Sequence, residues 1–456
     1  MSTIKISPVV PQEHVVQPLT STSKHILRRR IEEVPPLTSA TDYAYGSNSR
    51  LEFLLNSASD FVDFQHSFIR FSVACVLNDG GDVPEKAFAS GGAHSFFSEI
   101  RVETSNGVVI QRISNYNKWY AMMSQSLGKE YIESVGQAWG DSMGSEADYA
   151  GLGGASTQGA REYCANNTST LCFQPALPLL MMGQDIPLAI IRGGLRVILE
   201  LADPSQVLSA ATGDIIEGSV ATATVTLSNP RYLVSYVQPS QEVIQAYLTQ
   251  FNSSGVSYTY PDVQLYQNQL AVATTGLAAF QHHANVRSAR CVYTIQQNDN
   301  MATTKDVSQY NSSYAVDSCG TFLKMNLKEY QYYSGALRFP TSTPVDMTDE
   351  VHAEALQYYL QCRGIQGIES SIRPHPDEWM ERDTIDNVTD SSKLIIAAKL
   401  GRGNDAYSGL DLSLQPLTTE LNYDAAYTVG TNKNIFTWIE ADVTLTIGAD
   451  GVVVRK

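Results

Sequence analysis

The 456-residue sequence predicts an all-β protein with a few short helices, built as two consecutive β-sandwiches. Three observations lead there. Apolar residues alternate with polar ones over short runs instead of recurring at helical spacing. Tyr, Thr, Ser, Asn and Gln are plentiful and only 17% of the residues are charged, a mixture suited to strands and polar loops. The same order of events occurs twice along the chain: many short strands, some long loops and about one short helix. No strand–helix–strand rhythm of a parallel sheet is present.

Residues 1–42 read as an extended N-terminal arm, rich in Pro and polar residues and too poor in apolar surface to fold alone. Within it Arg28, Arg29 and Arg30 are either a solvated linker or a docking arm for a neighbouring subunit. The first sandwich is expected over 43–252. Leu51, Phe53 and Leu55 alternate, and Ile69, Phe71, Val73, Cys75 and Leu77 form an apolar strand face that ends in an Asn-Asp-Gly-Gly turn. Phe96, Ile100 and Val102 begin a hairpin whose Asn106-Gly107 pair suits a type I′ turn. Ser114 or Asn115 can cap a helix with the stripe Tyr116, Trp119, Tyr120, Met123, Leu127, and Trp119 is its candidate interaction residue. Gly136 to Gly159 reads as a long exposed loop. Strands follow at 195–203, 219–227 and 231–237, then a helix at 241–251.

The second sandwich is expected over 253–456. Its opening stretch is followed by a strand at 289–297 with Cys291, Tyr293 and Ile295 on one face. Asp346 or Thr348 caps a helix begun by Asp349 and Glu350, with Val351, Ala355, Tyr358 and Tyr359 on its apolar side. Segments 393–400 and 411–423 come next. The last long strand places Ile435, Ile439, Ala441, Val443, Leu445 and Ile447 on one face.

Charge and motifs exclude several function classes. A net charge of −16 argues against a body that grips nucleic acid. The N-terminus has no apolar stretch of signal-peptide type, and the most apolar region, 175–202, is interrupted by Pro, Asp and Arg. The six cysteines are scattered, which suits a reducing compartment, although Cys164 and Cys172 are close enough to bridge a loop. Adjacent His282 and His283 diverge in a strand and make a poor chelate, and His94 reads as a boundary residue. The Gly151-Leu152-Gly153-Gly154 run lacks the Lys-Ser/Thr of a phosphate loop, and no nucleophile elbow is present. No catalytic residue, cofactor or metal is expected.

The stretch HSFFSEIRVETSNGVVIQRISNYNKWYAMM (94–123) resembles the strand–turn–strand–helix unit in the first barrel of double-jelly-roll major capsid proteins of DNA viruses. It is similar to those of polinton-like viruses, adintoviruses and virophages and, more distantly, of large algal viruses. The segments around 57–81, 177–203 and 229–243 resemble that family in the same order, as do those at 327–345 and 435–453. Together they span about residues 45 to 454. The resemblance implies two consecutive eight-stranded jelly rolls and a homotrimer of pseudo-hexameric outline that builds an icosahedral shell and resides in the virion. Implied partners are further copies of the chain, penton and minor capsid proteins, and optionally an internal membrane. The competing class is a secreted or surface β-sandwich adhesin or lectin, which would want a signal sequence and disulfides. A sandwich glycoside hydrolase stands third.

Overall fold

The computed structural model describes residues 26–38, 40–57, 59–76, 86–142, 160–210, 224–298, 319–365, 379–380, 383–385, 388–391, 393–401, 408–428, 432–448 and 453–455. Among the described residues eight principal strands form each sandwich, with short extra strands paired at their sides. In the first they are β1 (Ile26–Val34), β2 (Arg50–Leu55), β3 (Phe61–Val76), β4 (Phe97–Thr104), β5 (Val109–Ser114), β6 (Ser169–Phe173), β7 (Leu195–Leu201) and β8 (Thr224–Pro239). In the second they are β9 (Val256–Ala271), β10 (Gly276–His282), β11 (Ala289–Asn298), β12 (Leu327–Ser334), β13 (Leu337–Phe339), β14 (Ile396–Lys399), β15 (Leu417–Tyr423) and β16 (Asn432–Ile447). Three helices matter below: α1 (Tyr116–Ser124), α2 (Gln241–Ser254) and α3 (Ala353–Cys362).

Strands pair first with last, moving inward. β1 joins β8, β2 joins β7, β3 joins β6 and β4 joins β5, all antiparallel. Pairing of β8 with β3 and of β7 with β4 completes two facing sheets, ordered β1-β8-β3-β6 and β2-β7-β4-β5. The second half repeats this as β9-β16-β11-β14 and β10-β15-β12-β13. A long hairpin folded over in this way is a jelly roll, and the chain makes it twice.

This topology sorts the connections. Strand direction alternates, so every odd-to-even connection lies at one end of a sandwich and every even-to-odd connection at the other. The longest ones, 115–168 and 340–395, therefore share an end with 77–96, 202–223 and 299–326. The opposite end carries short turns such as 105–108 and 335–336, along with 174–194 and 400–416.

Alternation supplies the cores. Leu51, Phe53 and Leu55 are buried on β2 while Arg50, Glu52 and Leu54 face outward or sit half-buried, and Phe71, Phe96, Phe97 and Phe173 pack ring against ring between the sheets. In the second sandwich Trp438 and Tyr293 are fully buried, and the Tyr332 hydroxyl donates to Thr294 Oγ1 at 2.9 Å. Such a hydrogen bond lets a phenol sit in an apolar layer without an orphaned donor.

Several sequence expectations need correction. Residues 26–34, assigned above to the arm, form the edge strand β1. The triple arginine hides an alternation that pairs in register with β8, Arg29 facing Val237 and Arg30 facing Tyr236. Of the rest of the expected arm, 1–25 lies outside the described residues, as does most of the 136–159 loop. The 105–107 turn is not type I′. Only Gly107 has positive φ (82°), and Gly107 N–H donates to the Thr104 carbonyl at 2.9 Å, a type I turn closed by a glycine bulge. The strands expected at 219–227 and 231–237 merge over the described residues 224–237 into β8, which runs through Asn229 in the left-handed region (φ 51°), while 219–223 lie outside the described residues.

The α1 and α3 starts also differ from expectation. Neither has a side-chain cap. Each is entered through a left-handed residue, Asn115 (φ 49°) and His352 (φ 50°), and α3 begins at Ala353. Asp346 and Asp349 instead hold the preceding turn by accepting from the Thr348 and Val351 amides. Both helices follow the fifth strand of their sandwich, so even this backbone detail is repeated.

Candidate interaction surfaces

The two sandwiches meet along β5 and β9. The Tyr260 hydroxyl donates to the Ile110 carbonyl at 2.7 Å. Gln111, fully buried, donates through Nε2 to the Pro261 carbonyl (3.1 Å) and to Asp262 Oδ1 (3.3 Å), and its Oε1 accepts from the Leu179 amide (2.9 Å). The short helix Pro178–Met181 packs on β9 beside them. Every hydrogen-bonding atom of the Gln111 amide group thus faces a partner, which is the condition for burying it without penalty.

At the long-loop end the junction continues through the helices. The Tyr359 hydroxyl of α3 donates to the Met122 carbonyl of α1 (2.8 Å), and Arg363 Nε donates to Ser126 Oγ (2.9 Å). Lys118 of α1 holds its ammonium 4.1 Å from the centre of the Phe436 ring of β16. Burial pushes that ammonium down to about 8.

Trp119 lies inside this arrangement. It is 5% exposed and packs beside Tyr116, so the α1 stripe faces the interior of its own chain. Next to it, His94 stacks on Tyr120 with ring centres 3.6 Å apart, and its Nδ1 lies 2.7 Å from the Tyr116 hydroxyl. That hydroxyl also accepts from the Ala176 amide at 2.9 Å. Burial depresses His94 to about 3.

The arginine run is neutralised within the chain. Arg30 reaches the buried Asp60 at 2.9 Å, and Arg29 approaches the buried Asp63 at 4.0 Å. Asp63 also binds His66 Nδ1 at 2.7 Å. Asp185 stands near this group and is pushed up to about 6, chiefly by burial and then by the Asp63 charge. Arg28 is exposed. The run is therefore part of an edge strand tied to its own sheet.

Two kinds of residue escaped the sequence reading. Gln111 sits beside Ile110 at a bulge where two successive residues turn inward, and only the broken alternation of VVIQRIS hints at it. Ile31, Leu337 and Leu414 are 62%, 53% and 86% exposed, and nothing in their local patterns separates them from buried strand residues.

Among the described residues no three His, Cys, Asp or Glu side chains converge as a metal site requires. A recess of 130 Å³ between His283–Asn285 and Leu412–Pro416 is smaller than the ~300–1,000 Å³ of ordinary ligand pockets. Cys164 and Cys172 are free thiols, and no described helix is long and apolar enough to cross a membrane.

Comparison with known proteins gives a consistent fold. No family model matches the sequence, and no curated protein does. Solved structures do match. A chain of the Sputnik virophage, determined by cryo-EM, aligns with TM-score 0.59 at 14% identity, covering 95% of this chain and 89% of that one. A chain of the PBCV-1 virus capsid aligns with TM-score 0.56 at 11% identity, covering 96% and 98%. The Faustovirus major capsid protein aligns with TM-score 0.52 at 9% identity, covering 92% and 90%. Each alignment runs through both sandwiches, so the double jelly roll is the shared fold.

Proposed function

We propose that this chain is the major capsid protein of an icosahedral DNA virus, acting as a structural protein of the virion rather than as an enzyme. The observation that carries the reading is the pair of like jelly rolls in one chain, matched along nearly its whole length by chains of the Sputnik and PBCV-1 particles.

Two similar wedges per chain, set side by side through β5 and β9, supply the geometry of a ring. Three copies give six wedges, a pseudo-hexameric capsomer that tiles a shell. Head-to-tail interfaces of this kind close into rings when the rotation permits. Permanent oligomers of this sort bury roughly 2,000–5,000 Å², so their stability comes from extensive packing and weakly from any single surface ion pair. The fold also separates the two ends of each wedge. In this reading the end of each wedge from which the long connections 115–168 and 340–395 leave faces outward, and the short-turn end faces the particle interior. There it meets minor capsid and penton proteins and, in a particle that has one, an internal membrane.

The experiment is assembly in solution. Recombinant protein is expected to give hexagonal-outlined particles of uniform size in negative stain. Irregular monomers in every field would refute the reading. No observation favours the adhesin or lectin alternative.

A further inference from the structure

Two cysteines 71 residues apart in sequence meet at the C-terminal end of α3. Cys291 of β11 donates its S–H to the Cys362 carbonyl at 3.6 Å, and the two thiols lie against each other. Both are free. We propose that Cys291 and Cys362 form a redox latch, a dithiol in a reducing compartment and a disulfide in an oxidising one, which fastens α3 to β11. The chemistry of the pair does not depend on the capsid reading; only its use in a shell does.

The fold brings these sulfurs together for identifiable reasons. Cys362 is the last residue of α3, where a helix leaves its final carbonyls without amide partners. The Cys362 carbonyl accepts from the Cys291 thiol and, at 3.3 Å, from the Tyr293 hydroxyl. Cys291 and Tyr293 alternate onto one face of β11, the face that receives the end of α3. The Tyr293 and Tyr359 rings meet edge to face with centres 6.4 Å apart, which seats the last turn of the helix. A strand, a helix end and an aromatic contact thus hold the pair. Bridging thiols that already touch needs side-chain rotation to the disulfide geometry and no movement of either element.

Cys362 is the point of entry, because it is partly exposed whereas Cys291 is buried. Burial, the Cys291 contact and the Glu440 charge hold the Cys362 thiol well above its ordinary value, and the Lys399 ammonium opposes them. A thiol kept protonated reacts slowly, so the pair stays reduced through brief contact with oxidant. Closure proceeds by exchange with a low-molecular-weight disulfide such as oxidised glutathione. The Cys362 thiolate attacks one glutathione sulfur, breaks the glutathione disulfide and releases the first glutathione thiolate. The Cys291 thiolate then attacks Cys362 Sγ in the mixed disulfide and releases the second. The protein pair loses two electrons, glutathione gains them, and the two thiol protons end on the released glutathione.

The latch acts where the sandwiches meet. Tyr359 and Arg363, on either side of Cys362, carry the bonds to the Met122 carbonyl and Ser126 of the first sandwich. Fixing Cys362 to β11 therefore fixes the segment that makes both contacts. The bridge also ties together residues 71 positions apart and so removes conformational freedom from the unfolded chain. In a shell protein, passage from a reducing to an oxidising compartment then hardens each subunit. The sequence offered Cys164 and Cys172 as the near pair, and the contact lies instead between two strangers in sequence.

The test uses the full-length protein. It is equilibrated with oxidised glutathione, alkylated with N-ethylmaleimide in denaturant, digested and mapped by mass spectrometry. A linked Cys291–Cys362 peptide that dithiothreitol removes is expected, with Tm raised by about 3–8 °C over the reduced protein. Cys291→Ser is expected to show the same Tm with and without oxidant. Its hydroxyl can still donate to the Cys362 carbonyl, and circular dichroism checks that it folds. Both cysteines alkylated after oxidation, a glutathione adduct at Cys362 that stops short of the bridge, or a linked protein with unchanged Tm would each overturn the latch. None of these results touches the capsid reading, which falls if the protein stays monomeric at every concentration.

Discussion

His94 and Trp119 show what single residues contribute beneath α1. His94 is neutral because it is buried. Its protonation is depressed to about 3 in the folded chain, so the unfolded chain binds this proton first as pH falls below about 6.5. Its contribution to stability is present above that pH and is lost on acidification, by about 1.4 kcal/mol per pH unit. Thermal melts from pH 6.5 to 4.5 are expected to fall more steeply for the wild type than for His94→Gln. Asp185 has the opposite sign. Its folded value of about 6 lies above the ordinary carboxylate value, so its favourable contribution exists at low pH and disappears as pH rises through 6. Asp185→Asn should therefore stabilise by about 1–2 kcal/mol above pH 6, allowing for partial solvent screening, and by nothing near pH 3.5. Trp119→Ala opens a cavity in a buried aromatic cluster and should cost about 3–5 kcal/mol in chemical denaturation. The stripe of Tyr116, Trp119 and Tyr120 was visible in the sequence, whereas His94, read there as a boundary residue, and the Ala176 amide join it only through the fold.

At the scale of elements, the β5–β9 contact depends on one side chain. Gln111→Leu leaves the Leu179 amide without its partner and strips a donor from Asp262, which should cost about 2–4 kcal/mol. A separate, earlier unfolding step of one sandwich in calorimetry is the expected signature, because the loss falls on the junction and spares both cores. Strand existence was legible from alternation almost throughout. What it could not give was continuity and pairing. The β8 pattern breaks at Asn229-Pro230, yet the strand bends through a left-handed asparagine and goes on. The β1 pattern, with three arginines, looked like a solvated arm. Asp60, just ahead of β3, and Asp63 on β3 pair with two of them, a compensation contributed by residues some thirty positions away in sequence. Helix starts failed for a related reason: Asn115 and His352 enter α1 and α3 through left-handed backbone, and residue type alone gave no sign of this at His352.

The whole molecule repeats itself in topology without repeating its sequence. Many short strands and about one short helix in each run could be read from the two runs of alternation and their turns, whereas β1, read as part of an arm, could not. The nested pairing that makes each run a jelly roll comes from long-range contacts, which a single sequence does not encode locally. The same repetition underlies the proposed capsid role: two like sandwiches in each chain would let three copies supply six similar wedges of one ring. Light scattering coupled to gel filtration on the purified protein tests this most directly. A stable species of three times 49.9 kDa is expected. A mass of 49.9 kDa that persists as concentration is raised would contradict it.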